Sequence, residues 1–289
     1  MNPNQAIAAE HDVAVNGITL HYATWGALTT PERAVVLIHG VTSNHKAFAV
    51  LGSALAAAGW YVVAPDLRGR GLSGKPPHGY GIAFNANDVL ALCDALGLPQ
   101  VAVVGHSLGA FIAMYLGALY APRMRRLVLV DAGGKLDADA YDAVASSVKR
   151  LGNVYPSLDA YLGALRDAAP FAWDAYWDAY YRYDAETRPD GSVVARMPLA
   201  AYMEEVGANA TLNADVLLTY IKAPALVLRA SVGTKTPTSG FVLPAGEAQR
   251  LAATMPQCRA MDIPDVNHYT IVVADACVRE VVSFLGEGM

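Results

Sequence analysis

Ser107 lies in the most informative segment of the chain, Gly105-His106-Ser107-Leu108-Gly109, which follows the G-x-S-x-G pattern. The apolar run 101–104 precedes this segment, and the helix-like stretch 110–120 follows it. This context predicts a sharp strand-to-helix turn that exposes the serine hydroxyl above a sheet. Glycines on both sides permit the turn and a close approach of strand and helix. Because a serine hydroxyl alone is a weak nucleophile, Ser107 can act as one only with a base and an orienting acid.

His268 is the candidate base, because it is the only histidine after position 106. It lies in Asp265-Val266-Asn267-His268-Tyr269, after the last predicted strand. The chain order serine, acid, histidine is the order used by hydrolases with this kind of turn. We therefore expect His268 to take the proton of Ser107 and to return it to the leaving group. A surface histidine without a catalytic role is the alternative.

Asp131 is the candidate acid, since it directly follows the apolar run 126–130. A carboxylate at that strand end can hold an imidazole in the correct tautomer and stabilise its cation. The loop 230–240, which follows the next predicted strand, contains no Asp or Glu. Glu247 and Asp265 remain as alternative acids. A role for Asp131 as a turn former or helix cap is also compatible with the glycines that follow it.

The elements that must position these groups alternate along the chain. Two alternating runs joined by Asn16-Gly17 predict a hairpin over 12–25. Continuous apolar runs predict buried strands at 34–38, 61–64, 101–104, 126–130, 224–229 and 259–263, with helices between them and a closing helix at 275–285. This alternation predicts an α/β fold, with a mainly parallel sheet covered by helices on both faces.

One long stretch breaks the alternation. Between 134 and 217 no buried strand is evident, and the residues predict several short helices. We interpret 134–217 as a helical cap inserted into a core formed by 1–133 and 218–289. Four aromatic residues in the cap follow helical spacing: Trp173, Tyr176, Trp177 and Tyr180. This face either packs the cap on the core or roofs a substrate pocket, and Trp173, Trp177 and Tyr180 are the pocket candidates.

Composition excludes several function classes. The 289 residues are 54% hydrophobic and 16% charged, with a net charge of −5, which is typical of a chain with a large buried core. No lysine- or arginine-rich block is present, so we expect no nucleic-acid partner. The weakly charged run 101–122 contains His106 and Ser107, and it predicts a buried strand and helix rather than a membrane span. Three cysteines without metal-like spacing, and a start without a signal-like segment, predict a cytoplasmic protein.

Two further patterns suggest cofactors but do not meet the requirements for them. The segment 69–74 fits G-x-G-x-x-G, yet Lys75-Pro76-Pro77 follows it where a dinucleotide site would need a helix. The seven histidines show no zinc-ligand spacing along the chain. We therefore expect neither a cofactor nor a metal ion.

Taken together, these segments resemble the α/β-hydrolase superfamily, in its cap-bearing branch of esterases and lactonases. The resemblance rests on five segments: His39-Gly40, Asp66-Leu67-Arg68-Gly69-Arg70-Gly71, the Ser107 turn, Asp131 and His268. It implies an oxyanion hole made by the backbone N–H groups of Val41 and Leu108. By the same resemblance His39 and His106 support the turns. Phe48 falls where relatives carry an aromatic residue near the pocket, although core packing is an equal alternative.

The resulting expectation is a cofactor-free serine hydrolase that acts on a small carboxylic ester or lactone with an apolar part. Related dehalogenases and epoxide hydrolases carry Asp in place of Ser107. Amide or carbon–carbon bond hydrolysis uses the same triad and remains open. A non-catalytic or slow-turnover receptor of the same fold is the alternative from another class.

Overall fold

The computed structural model describes residues 8–288, without the side chains at 142–144 and 146. The strands are, in chain order, β1 (Ala9–Val15), β2 (Ile18–Trp25), β3 (Ala34–Ile38), β4 (Tyr61–Pro65), β5 (Val101–His106), β6 (Met124–Val130), β7 (Ala185–Thr187), β8 (Val193–Ala195), β9 (Ala225–Ala230) and β10 (Cys258–Ile263). Eight of them form one sheet in the order β1-β2-β4-β3-β5-β6-β9-β10. In this sheet β2 pairs antiparallel with β1 and with β4, and the other pairings are parallel. The predicted α/β fold class is confirmed.

Helices cover both faces of this sheet. The helices of the described residues are, in chain order, α1 (Ala49–Ala57), α2 (Ile82–Ala95), α3 (Leu108–Leu119), α4 (Ala140–Val148), α5 (Leu158–Ala168), α6 (Ala175–Asp184), α7 (Leu199–Asn209), α8 (Ala214–Tyr220), α9 (Ala245–Thr254) and α10 (Asp275–Gly286). One core cluster joins the sheet to α2, α3, α8 and α9, and a second joins it to α1 and α10. None of the described helices is long and apolar enough to cross a membrane.

The central strands are buried on both sides, which explains why they appear in the sequence as continuous apolar runs. Every residue of β3, β5 and β9 is buried. At the sheet edge, Asn16 and Gly17 adopt φ values of 45° and 79°. Positive φ at both central residues suits the tight turn that matches the twist of a hairpin, so the predicted hairpin is confirmed.

The segment between β6 and β9 contains five helices, as the sequence predicted in outline, but also a two-stranded hairpin, β7 with β8. Sequence analysis missed this hairpin because three-residue strands are too short to show alternation. Val193 in β8 is fully buried and belongs to a cluster separate from the two sheet clusters. The predicted boundary between 217 and 218 runs through α8, and Leu218 on this helix packs into the sheet core.

Candidate active site

Ser107 occupies the sharp turn between β5 and α3. Its backbone lies at φ 56° and ψ −118°, a conformation that residues other than glycine rarely adopt. A Cβ at Gly105 would lie 2.0 Å from the carbonyl oxygen of Gly109, and one at Gly109 would lie 1.9 Å from that of Ile38. Both glycines are therefore required for the strand and helix to meet at this turn. At this strained turn the Ser107 side chain faces a cavity. Ser107 and His268 both line that cavity.

The structure brings Asp131 to His268. The Nδ1 atom of His268 lies 2.8 Å from Oδ2 of Asp131, whose side chain is buried. The second carboxylate oxygen accepts a hydrogen bond of 2.8 Å from the amide of Ala230 on β9. This arrangement keeps the proton on Nδ1 and leaves Nε2 for the nucleophile, as a serine hydrolase requires. No hydrogen bond joins Ser107 Oγ to His268 among the described side chains, and such bonds often tighten only when substrate binds.

The alternative acids are engaged elsewhere. Glu247, on α9, accepts from the amide of Lys135 at 2.9 Å and forms an ion pair with Arg250 at 2.8 Å. The hydrogen bond from Arg250 lowers the pKa of Glu247. Asp265 is exposed. Of the three carboxylates that the sequence suggested, only Asp131 bonds to His268.

His106 supports the loop that carries His268. Its Nε2 atom donates to the carbonyl oxygen of His268 at 2.9 Å, and the two rings are 4.6 Å apart. Burial, together with the nearby charge of His268, holds the pKa of His106 well below its ordinary value. His106 therefore stays neutral at physiological pH and adds no second positive charge beside the base.

His39 fixes the peptide that leads to Val41. The amide of Leu67 donates to His39 Nε2 at 3.0 Å, so the ring proton lies on Nδ1, which donates to the carbonyl oxygen of Gly40 at 2.7 Å. Burial lowers the pKa of His39 to about 4. The carbonyl oxygen of Val41 in turn accepts from Nε of Arg70 at 3.0 Å. The Val41 peptide is thus held from both sides.

Val41 and Leu108, the residues predicted to form an oxyanion hole, both lie close to Ser107. Val41 lines the cavity, and a Cβ added to Gly40 would lie 3.2 Å from Cβ of Ser107, which shows how closely this loop approaches the nucleophile. Leu108 is the first residue of α3, so its amide has no acceptor within the helix and lies at the positive end of the helix dipole. Donors in this arrangement can stabilise an oxyanion.

Aromatic side chains of segment 134–217, the predicted cap, line the cavity, which has a volume of about 100 Å³. The hydroxyl of Tyr180 donates to Ser43 Oγ at 2.9 Å, and that of Tyr176 donates to the carbonyl oxygen of Ala47 at 3.0 Å. The same residues therefore pack the cap on the core and line the cavity. The lining residues are Gly40, Val41, Thr42, Ser43, Ala47, His106, Ser107, Ser147, Arg150, Tyr176, Trp177, Tyr180, Tyr181, His268, Tyr269 and Val272.

Two of the four predicted pocket residues, Trp177 and Tyr180, line this cavity, whereas Phe48 and Trp173 do not. Phe48 is buried in the core beside the sheet. Trp173 precedes α6, because Asp174 caps that helix by accepting from the amide of Tyr176 at 2.9 Å. Trp173 instead stacks on Tyr181, with the ring centroids 5.1 Å apart.

Sequence reasoning missed Arg150, Tyr181 and Tyr269. Tyr269 directly follows His268, and Tyr181 ends the aromatic segment 171–181. Their positions beside other candidate residues could therefore have suggested that both line the cavity. Arg150 had none, because its partners are distant in the chain: Nε donates to Asp184 at 2.8 Å and Nη2 to the carbonyl oxygen of Thr42 at 2.5 Å. The buried carboxylate of Asp184 raises the pKa of Arg150 despite the opposing effect of burial, so the side chain remains a cation.

The segment 69–74, which fits a dinucleotide pattern, forms a tight loop and opens no helix. A Cβ at Gly71 would lie 1.8 Å from Oδ2 of Asp66, so the glycine serves the packing of this loop. The expectation that this pattern is a loop is confirmed.

Comparison with known proteins identifies the family. A family model described as alpha/beta hydrolase fold matches residues 33–275. The chain belongs to the α/β-hydrolase family. This α/β-hydrolase superimposes on the crystal structure of E-2-(acetamidomethylene)succinate hydrolase with a TM-score of 0.83 and 22% identity, covering 96% of this chain and 99% of that one.

Among curated relatives, 2-(acetamidomethylene)succinate hydrolase of Mesorhizobium japonicum is 25% identical over 291 residues, covering 96% of this chain and 97% of that protein. N-formylmaleamate deformylase of Pseudomonas putida is 38% identical over 123 residues, covering 42% of this chain and 44% of that protein. A Mycobacterium tuberculosis protein of unstated activity is 40% identical over 101 residues, covering 35% of this chain and 29% of that protein. The α/β-hydrolase thus spans less than half the length of the latter two relatives.

Proposed function

We propose that this α/β-hydrolase is a serine hydrolase that cleaves a small carboxylic ester or lactone through an acyl-enzyme on Ser107. One observation carries the proposal: the hydrogen-bonded pair His268–Asp131 opens onto the same cavity as Ser107. The nucleophile stands on a strained turn, and its base is oriented by a buried carboxylate. The proposal is supported because Ser107 and His268 line one cavity and Asp131 is hydrogen-bonded to His268.

The chemical steps follow from these positions. His268 Nε2 takes the hydroxyl proton as Ser107 Oγ bonds to the substrate carbonyl carbon, and the Val41 and Leu108 amides stabilise the resulting oxyanion. Collapse of this intermediate breaks the bond to the alkoxy group, which receives the proton from His268 and leaves as an alcohol. Water then loses a proton to His268 and attacks the acyl-enzyme, and Ser107 recovers its proton as the acid departs. Asp131 stabilises the imidazolium at both stages.

The cavity limits the substrate. Its volume of about 100 Å³ is far below the roughly 300–1,000 Å³ of pockets for drug-sized ligands, so we expect a short acyl group. The aromatic roof formed by Tyr176, Trp177 and Tyr180 provides apolar walls for that group. Burial raises the pKa of both tyrosines, which therefore stay neutral phenols.

Amide hydrolysis is the second candidate, and a relative aligned over almost the whole chain favours it. That protein is named for hydrolysis of an acetamido compound derived from succinate. Arg150 lines the cavity as a cation. A guanidinium on the cavity wall suits a substrate carboxylate, with which it can form a charge-assisted hydrogen bond. A carboxylated amide is therefore the alternative substrate class.

Rapid mixing with p-nitrophenyl acetate tests the acyl-enzyme directly. We expect a stoichiometric burst of p-nitrophenol from the unmodified protein and none from Ser107→Ala. Ser43→Ala is a matched control, since it removes another hydroxyl from the same cavity and should retain the burst. A burst that survives in folded Ser107→Ala would refute the proposal.

A panel of short esters, lactones and amides, each with and without a carboxylate, then separates the two candidates. Higher kcat/KM for neutral esters or lactones supports the first, and higher kcat/KM for carboxylated amides supports the second. Ligand binding without product from any of them would favour the receptor alternative.

A further inference from the structure

A second group of side chains converges outside the active-site cavity. Glu10 on β1, His21 on β2 and His45 in the short turn after β3 each offer a ligand atom, and these atoms all lie within 4.8 Å of one another. His21 Nε2 lies 3.4 Å from Glu10 Oε2, and His45 Nε2 lies 3.5 Å from Glu10 Oε1. None of the three residues lines the cavity that contains Ser107.

The two imidazole nitrogens that face Glu10 lack hydrogen bonds. His45 is fully buried and His21 is 6% exposed, and the Nε2 atom of each has no hydrogen-bond partner among the described residues. A buried polar atom without a partner costs about 1–3 kcal/mol of stability. Two such atoms directed at one carboxylate are typical of a site that is completed by a ligand.

The opposite ring nitrogens are each held by a carboxylate. His21 Nδ1 lies 2.8 Å from Asp12 Oδ1, and His45 Nδ1 lies 3.0 Å from Asp66 Oδ1. These carboxylates only accept, so each neutral ring carries its proton on Nδ1 and directs the lone pair of Nε2 toward Glu10. Histidines that bind metals almost always donate their other nitrogen to such a partner, which fixes the tautomer and ring orientation.

We propose that Glu10, His21 and His45 form a binding site for a divalent transition-metal ion, with zinc(II) as the best match. Two imidazole nitrogens and one carboxylate are a zinc donor set, and bond lengths near 2.0–2.1 Å place tetrahedral ligand atoms about 3.3 Å apart. The observed separations of 3.4 and 3.5 Å are close to that value. Water supplies the fourth ligand.

The local charge also fits a dication. The carboxylates of Glu10, Asp12 and Asp66 surround the two histidines, and the ammonium of Lys46, which pairs with Glu10 Oε1, offsets one of these charges. Two negative charges remain. Lys46 is 34% exposed, so the incoming ion can displace its ammonium toward solvent.

The site would fasten three segments of the chain to one another: the edge hairpin, the turn at 45–48 and the predicted cap. Asp66, which orients His45, also accepts a hydrogen bond of 2.6 Å from the hydroxyl of Tyr183 on α6. The ring of Tyr183 packs edge-on against His45 at 4.9 Å. The bound ion would therefore stabilise the attachment of the cap as well as the hairpin, and the site is independent of the hydrolysis proposed above.

Titration of the metal-stripped full chain with Zn(II) and Co(II) tests the proposal. We expect one equivalent of Co(II) to bind and produce the visible absorption of a tetrahedral nitrogen–oxygen site, and one equivalent of Zn(II) to displace it and raise the melting temperature. His21→Gln and His45→Gln should each weaken binding at least about 10-fold, and Asp12→Asn about 10- to 100-fold. His78→Gln is the matched control, since this histidine is 88% exposed and should bind no ion of its own.

The absence of stoichiometric binding at micromolar concentrations would overturn the proposal. So would binding that survives in both His21→Gln and His45→Gln, or binding that is lost in His268→Gln, which would place the ion in the active-site cavity. If a histidine variant fails to fold, Glu10→Gln replaces it in the series, because Glu10 lies at the exposed edge of the site. Loss of the Co(II) spectrum in that variant supports the site, and an unchanged spectrum overturns it.

Discussion

The core and the predicted cap both contribute residues to the cavity beside Ser107, but different physical interactions hold those residues in place. In the core, Ser107 and Asp131 directly follow the parallel strands β5 and β6, and His268 follows β10. The carboxyl ends of parallel strands meet at one edge of a sheet, where binding residues collect in open α/β folds. The backbone therefore delivers the reacting groups to one place.

The cap is fastened by contacts between side chains that are far apart in the sequence. Glu205 on α7 receives a hydrogen bond of 2.5 Å from Arg70 in the core, and both residues are almost fully buried. Arg150 forms a comparable buried pair with Asp184 within the cap. This difference indicates that core substitutions should affect the chemical step, whereas cap substitutions should affect stability and substrate binding.

The largest expected effect is on the chemical step. Asp131→Asn leaves the His268 ring without the carboxylate that fixes its tautomer, and we expect kcat to fall about 10³- to 10⁴-fold with the fold preserved. Glu247→Gln is the control and should change kcat little, since Glu247 pairs with Arg250 on α9. Steady-state kinetics on the best ester of the panel measures kcat for both variants, and melting curves show whether each is folded. A larger fall in kcat for Glu247→Gln than for Asp131→Asn would identify Glu247 as the acid.

The next effect concerns the attachment of the cap. Glu205→Ala leaves the buried Arg70 guanidinium without its carboxylate, so we expect the free energy of unfolding to fall by about 3–5 kcal/mol. Asp178→Asn, which breaks exposed pairs with Arg166 and Arg182, should cost at most about 1 kcal/mol. Urea denaturation measures both. Similar losses of unfolding free energy for the two variants would show that the buried pair stabilises the protein no more than the exposed pairs do.

The third effect is a dependence of folding stability on pH, which arises from a buried histidine of the core. Burial lowers the pKa of His39 to about 4 in the folded protein, against 6.5 for the ordinary side chain. As the pH falls from 6.5 toward 4, the unfolded chain therefore binds a proton that the folded protein does not, and stability declines by on the order of 3 kcal/mol. Above about pH 7 neither state is protonated and this contribution vanishes.

Urea denaturation between pH 7.5 and about 4.5 tests this with His39→Gln, which should flatten the decline. His78→Gln, which alters an exposed side chain, should keep the slope of the unmodified protein. An equal slope in His39→Gln would mean that other groups account for the decline.

The smallest effect concerns a single contact between the halves. Tyr180→Phe removes the hydrogen bond to Ser43 and keeps the aromatic wall, so we expect a loss of about 0.5–1.5 kcal/mol in unfolding free energy. KM should rise more than kcat falls, because the roof binds the substrate and does not take part in the proton transfers. The exposed Tyr220→Phe should alter neither quantity. A fall in kcat that exceeds the rise in KM would give the cap a role in the chemical step.

Prediction from the sequence succeeded where the signal is local. Continuous apolar runs indicated the buried strands, and the turn at Asn16-Gly17 indicated the edge hairpin. Prediction failed for the β7–β8 hairpin, whose strands have three residues each. It also failed for Trp173, which was expected on helix α6 but lies one residue before Asp174, the N-cap residue of that helix. For Phe48 the sequence left the pocket and the core as equal alternatives, because core and cavity positions on one short turn have the same apolar pattern, and the structure places it in the core.

The sequence by itself determined the Ser107 turn, the α/β alternation and the order in which nucleophile, acid and histidine follow one another, because backbone preferences and glycine requirements are local. Only the tertiary structure decided that Asp131 rather than Glu247 meets His268, that Arg150 and Tyr181 reach the cavity, and that Glu10, His21 and His45 converge. The last three are separated by 11 positions (10 to 21) and 24 positions (21 to 45). Glu10 and His21 lie on the paired strands β1 and β2, whereas His45 comes from the turn after β3, which is not a neighbour of either strand in the sheet. No local spacing records the arrival of His45 beside the other two.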